Sequence, residues 1–127
     1  MSDPTLPPLL GRKILVVEDE YMIAADLSFL VEEAGAEVAG PVGSVAEALS
    51  LIGTGGGELD AAILDINLGG ERAFPVADAL TSLHVPFVFT TGYDAMLVPE
   101  PYSSVRRMEK PIDRELLIQA LAHAHHG

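Results

Sequence analysis

Four places in this sequence carry residue types that could handle a phosphoryl group, and each closes a short segment. Ile14-Leu-Val-Val17 runs into the acidic cluster Glu18-Asp19-Glu20, and Asp60-Ala-Ala-Ile-Leu runs into Asp65. A third run ends at Thr91-Gly92 and a fourth segment at Lys110-Pro111. Two acidic sites, a hydroxyl and a lysine make a phosphoryl-acceptor site if one crevice gathers them. Crowded carboxylates repel, by about 4 kcal/mol for a pair ~4 Å apart at an effective dielectric of about 20. A divalent cation relieves that repulsion, and Mg2+ suits a site with few carboxylates and several retained waters. Asp19 and Asp65 are the expected direct ligands. The backbone carbonyl of Asn67 is a third, and Glu18 is placed to hold a metal-bound water.

Asp65 is the expected acceptor. The turn Asn67-Leu-Gly-Gly70 behind it lets backbone N–H groups approach phosphoryl oxygens, Thr91 offers a hydroxyl and Gly92 a close N–H. Lys110 supplies a compact positive charge where the transferring group carries negative charge. It is one of two lysines in the chain, and a cis bond to Pro111 is expected to aim it inward.

Something must bring these positions together. Ile14–Val17, Glu37–Ala39, Ala61–Leu64 and Phe87–Thr90 are short apolar runs without alternation, as in strands buried on both faces of a parallel sheet. A fifth strand is expected over Val105–Met108, at a sheet edge because two arginines interrupt it. Helical stripes lie between: Ile23, Leu27, Leu30 and Ala34, stopping at Gly35; Val45, Ala48, Leu49 and Ile52, ending at Gly53; Val76, Ala79, Leu80 and Leu83. Ser44-Val-Ala-Glu47 reads as a capping box that opens the second helix. A last helix starts near Asp113 and buries Leu117, Ala120, Leu121 and Ala124. Pro99 and Pro101 leave room for one turn between the fourth and fifth strands, so the fourth helix is expected short or disordered. Strands alternating with helices predict an α/β fold, a doubly wound five-stranded parallel sheet. Ligands of such sheets bind outside the carboxyl ends of the strands, where all four chemical features fall.

Composition narrows the function. The chain of 127 residues holds 19 acidic and 7 basic residues, a net charge of −12, which argues against a nucleic-acid partner. Four of the basic residues, Arg106, Arg107, Lys110 and Arg114, are clustered and could face an acidic partner. With no cysteine there is no thiol chemistry and no disulfide framework. No apolar run reaches the ~20 residues that span a bilayer, and the N-terminus lacks a signal-peptide pattern, so a cytoplasmic protein is expected. Residues 1–11, with Pro4, Pro7 and Pro8, read as a flexible tail, and 12–127 as one domain.

The residues resemble those of response-regulator receiver domains over nearly the whole chain, from about residue 12 to 125. Val16-Val-Glu-Asp-Glu20, Leu64-Asp-Ile-Asn-Leu-Gly-Gly-Glu71, Thr91 and Lys110-Pro111 match that family's acidic pair, phosphoacceptor, switch hydroxyl and lysine. Phe89-Thr-Thr-Gly-Tyr93, with Pro75-Val-Ala-Asp-Ala-Leu80, resembles the narrower FAT-GUY subgroup, with Thr90 in place of the usual alanine. The resemblance implies the flavodoxin-like (βα)5 fold, bound Mg2+, and a stand-alone bacterial regulator in two-component or phosphorelay signalling. The implied partner is a sensor histidine kinase or histidine phosphotransfer protein, and members are often tied to stress responses. A monomer, or a weak dimer on phosphorylation, is expected, and no enzyme. Arg107 stands where many receivers carry Tyr or Phe, so Tyr93 is the expected aromatic part of the switch. Past Pro111 the chain has length for one helix, so no output domain is expected.

Three rivals are weaker. A phosphorylation-independent receiver-like adaptor predicts loss of Asp19, Asp65, Thr91 or Lys110, and all are present. An aspartyl-phosphate hydrolase of the haloacid-dehalogenase type needs an acid two positions after its nucleophile, where Asn67 stands. Flavin binding needs a phosphate loop after the first strand, where Glu18-Asp19-Glu20 repels phosphate.

Overall fold

The computed structural model describes residues 6–92 and 98–123. The strands are β1 (Lys13–Val17), β2 (Glu37–Val42), β3 (Ala61–Asp65), a small pair β4 (Asn67–Leu68) and β5 (Glu71–Arg72), β6 (Phe87–Thr91) and β7 (Arg107–Glu109). The helices are α1 (Tyr21–Glu33), α2 (Val45–Gly55), α3 (Phe74–Ser82) and α4 (Arg114–Ala122). The main sheet is parallel, in the order β2-β1-β3-β6-β7. The doubly wound fold expected from the sequence is therefore present, with β7 at an edge.

Alternate residues of each strand feed opposite layers. Ile14, Val16, Ala61, Ile63, Val88 and Met108 pack with Leu27 and Val31 of α1 and Leu117 and Leu121 of α4. Leu15, Val17, Ala62, Leu64 and Phe89 pack with Ala48 and Ile52 of α2 and Val76, Ala77 and Leu80 of α3. All five residues of β3 are buried, as a central strand covered on both faces requires.

Several expectations shift. Residues 7–11 are not a tail: Leu9 is fully buried in the layer under α1 and α4, and its N–H donates to the Ala34 carbonyl at 2.8 Å. The prolines shape turns here rather than leaving the backbone unpaired. Arg12 extends the strap by donating from Nη1 to the Leu121 carbonyl (2.7 Å) and from Nη2 to that of Ala122 (2.9 Å). β2 runs on through Gly40-Pro41 to Val42, which an outer strand permits because one side of its ladder is free. The fifth strand lies over Arg107–Glu109 rather than Val105–Met108.

The second helix passes Gly53 to end at Gly55. Its capping pair is built differently from the expected box: Ser44 Oγ accepts the Glu47 N–H and donates to Glu47 Oε1, both at 3.1 Å. Leu49 and Leu83 of the expected stripes are partly exposed, at 37% and 41%, and Ala124 lies outside the described residues. Between β6 and β7 the described residues form one 3-10 turn, Glu100–Tyr102, anchored by the Tyr102 ring stacked on Phe74 (5.4 Å between centroids, 7° between planes).

Candidate functional site

The carboxyl ends of β1, β3, β6 and β7 carry the predicted residues, and parallel pairing sets them side by side. Leu64 pairs with Val17, one residue before Asp65 and Glu18. Asp65 pairs with Thr90, and Thr91 with Glu109, one residue before Lys110. The Lys110 N–H closes the row on the Thr91 carbonyl at 2.8 Å.

Lys110 is the hub. Its Nζ donates to Asp65 Oδ2 at 3.0 Å and lies 2.7 Å from Glu18 Oε1, an ion pair that lacks hydrogen-bond geometry. The Lys110-Pro111 peptide is cis, as expected. The other oxygen of Asp65, Oδ1, accepts the Asn67 N–H at 3.1 Å, and Glu18 Oε2 accepts that of Glu20 at 3.1 Å. Glu18 and Asp65 are buried, whereas Asp19 is exposed at the mouth. One carboxylate oxygen from each of the three lies within 4.8 Å of the others.

Burial pushes the Glu18 carboxyl up to about 7; the Lys110 ammonium pulls it back, and the nearby Asp65 carboxylate raises it again. For Lys110, burial works against the charged form, but the attraction of the Glu18 and Asp65 carboxylates outweighs it and the ammonium is held above its ordinary value.

The turn after Asp65 is a tight hairpin, β4 pairing antiparallel with β5. Gly69 and Gly70 both have positive φ (61° and 96°), the conformation a two-residue hairpin loop demands. The Gly70 N–H is tied to Asn67 Oδ1 at 2.9 Å. A β-carbon on Gly69 would stand 3.7 Å from Asp19 Oδ2, so the hairpin turn comes up against the acidic mouth.

Thr91 is buried at the end of β6, its hydroxyl donating to the Gly92 carbonyl at 3.2 Å. Arg107 is exposed on β7 and Tyr93 lies outside the described residues. His123 Nδ1 sits 2.7 Å from the Gln119 carbonyl, at the end of α4. Sequence reasoning named Thr90 only as standing where the FAT-GUY subgroup has alanine and gave it no role; it is wholly buried, and its hydroxyl has no hydrogen-bond partner. That departure was the signal in the sequence; its pairing in register with Asp65 is visible only in the fold.

No family model matches the chain. SdrG from Sphingomonas melonis Fr1 is 41% identical, with a TM-score of 0.77 over 87% of this chain and 93% of that one. The chain belongs to the response-regulator receiver family. A response regulator receiver domain protein from Clostridium thermocellum shares this receiver's fold at 24% identity, with a TM-score of 0.77 over 89% of this chain and 93% of that one. The sensory transduction protein LytT of Bacillus anthracis is 30% identical over 113 residues, 86% of this receiver and 45% of LytT. This receiver spans less than half the length of the curated relatives it matches.

The receiver's acidic mouth fits a divalent cation. Glu18 Oε1 is buried without a hydrogen bond, and three carboxylates crowd around one point with a single ammonium among them. Among the described residues no helix is long and apolar enough to cross a membrane.

Proposed function

We propose that this receiver takes a phosphoryl group onto Asp65 from a phosphohistidine of a sensor histidine kinase or histidine phosphotransfer protein. It then signals by protein contact or by passing the group on. The observation that carries this reading is the Lys110 ammonium held 3.0 Å from Asp65 and 2.7 Å from Glu18 beside a third carboxylate. Support also comes from SdrG, which has a BeF3-activated conformation and is 39% identical in that form.

In the transfer, one oxygen of Asp65 forms a bond to phosphorus as the bond from phosphorus to the imidazole nitrogen breaks. The imidazole leaves with the bonding pair and takes a proton, so it departs neutral. Mg2+, when bound, would neutralise charge on the phosphoryl oxygens as donor and acceptor approach. Asp19, Asp65 and the Asn67 carbonyl are the residues to hold it, with Glu18 on a metal-bound water. Lys110 turns from Asp65 toward a phosphoryl oxygen, and the Thr91 hydroxyl donates to another.

The groove of about 750 Å3 between α1 and the start of α4 opens beside Lys110 and is lined by Ile23, Leu27, Leu30, Pro111 and Ile112. With Asp26, Lys110 and Arg114 also in its lining, this mainly apolar groove suits an amphipathic helix of the phosphodonor. We further assign the chain to the FAT-GUY subgroup, with a role in general stress signalling. Phe89-Thr-Thr-Gly-Tyr93, the Pro75 start of α3 and, among the described residues, the single turn between β6 and β7 support this. Residues 12–127 form the functional unit, with Pro7–Gly11 packed onto it.

Intact mass after incubation with acetyl phosphate tests the reading. A single phosphoryl adduct that requires both Mg2+ and Asp65, and is absent in Asp65→Asn, is expected. An adduct that persists in Asp65→Asn would place the acceptor elsewhere. No adduct from acetyl phosphate or from a phosphorylated histidine kinase would favour the adaptor.

A further inference from the structure

Thr90 is fully buried, and its hydroxyl has no hydrogen-bond partner. A buried unpaired hydroxyl is costly, and such groups in folded proteins call for a reason. The topology supplies one. Ile63 and Val88 lie under α1 and α4, while Leu64 and Phe89 lie under α2 and α3. Side chains alternate along a strand, so Asp65 and Thr90 both return to the α1–α4 face. The two pair in register, which makes them next neighbours there. Lys110 lines the groove on that same face. Because β6 lies between β3 and β7, the lysine chain that reaches Asp65 and Glu18 crosses β6 on Thr90's side.

We propose that Thr90 is a positioning residue for Lys110, its hydroxyl serving as the acceptor the ammonium uses when a cation draws Glu18 and Asp65 away. This rests on the phosphoryl-acceptor reading of the site. An ammonium has three N–H donors, and here it is turned toward two carboxylates. Both belong to the acidic cluster that fits a cation. A neutral hydroxyl next to Asp65 does not compete for the cation, yet keeps the lysine over the acceptor while the phosphoryl group arrives. Valine would fill the same space without an unpaired atom, so for stability alone the threonine is the poorer choice.

The test uses Thr90→Val and Thr90→Ser in the full chain. Without metal, Thr90→Val should melt at or above the wild-type temperature. With Mg2+ and acetyl phosphate it should phosphorylate about tenfold more slowly, the effect of one lost hydrogen bond to a charged group. Its melting temperature should also rise less than the wild type's when Mg2+ and beryllium fluoride are added. Thr90→Ser should recover the rate to within about twofold. Should Thr90→Val misfold, Thr90→Ala gives the same comparison. A merely structural role predicts the reverse: lower stability, unchanged rate. A wild-type rate and beryllium fluoride shift in Thr90→Val, or a serine variant as slow as the valine one, overturns the inference. If the wild type shows neither adduct nor shift, the phosphoryl-acceptor reading itself falls and this inference falls with it.

Discussion

Mg2+ binding should weaken about tenfold between pH ~8 and pH ~6, because Glu18 takes up a proton over that range and loses the negative charge that favours the cation. Its carboxyl is pushed up to about 7 by burial and by the Asp65 carboxylate. At pH ~8 about ten molecules in eleven have Glu18 ionised, and at pH ~6 about one in eleven. A cation that needs the ionised form therefore loses roughly a factor of ten, or ~1.4 kcal/mol, from this group alone. The same shift sets the metal-free stability. The unfolded carboxyl titrates near 4.5, so between 4.5 and about 7 the folded chain keeps a proton that the unfolded chain has shed. Stability drawn from that proton is complete below pH 4.5 and gone above about 7, a loss on the order of 3 kcal/mol.

Titration calorimetry with Mg2+ in two buffers of different ionisation enthalpy reads both quantities. Near pH 6 close to one proton should leave per cation bound, and near pH 8 about a tenth of one. Glu18→Gln should flatten the profile. The reasoning fails if wild-type affinity is level across this range, or if the glutamine variant keeps the slope.

Three further outcomes follow from the geometry. Lys110→Met should tighten Mg2+ binding several-fold by calorimetry, since it removes a cation 3.0 Å from Asp65, while slowing phosphorylation by acetyl phosphate. Arg12→Ala removes two charged hydrogen bonds from the end of α4 and should cost about 2 kcal/mol in urea unfolding. Faster amide exchange in α4 should accompany it, and unchanged exchange there would count against the cap. Leu9→Ala should cost about 2–5 kcal/mol, as for any buried leucine, whereas a tail residue would cost almost nothing.

What the sequence revealed and what it hid have separate physical causes. The strands were legible because a central parallel strand must be apolar on both faces, and Ala61–Leu64 can be little else. The site was legible because the chain turns polar where those strands end. Residues 7–11 misled because proline removes a donor and fixes φ, which reads as a break in structure. What holds them is distant: Leu9 needs the floor built by α1 and α4, and Gly35 at φ 101° leaves no room for a β-carbon beneath Pro7 (2.8 Å). The course of β2 through Gly40-Pro41 was hidden for a similar reason, since only its place at the sheet edge makes proline tolerable.

The same limit applies within the site. Glu18 and Asp19 are adjacent acids, and pattern alone gives each the same standing. The fold separates them: Glu18 is buried against Lys110, and Asp19 stands exposed beneath the Gly69 turn. One acid therefore carries a raised affinity for protons and the other faces solvent, so the two do not offer a cation the same ligand. Thr90 and Thr91 divide in the same way. Alternation sends one hydroxyl to the α1–α4 face beside Asp65, while the other bonds the Gly92 carbonyl at the strand end. In both pairs a step of one residue along the chain changes the face, and with the face the chemistry each side chain can do.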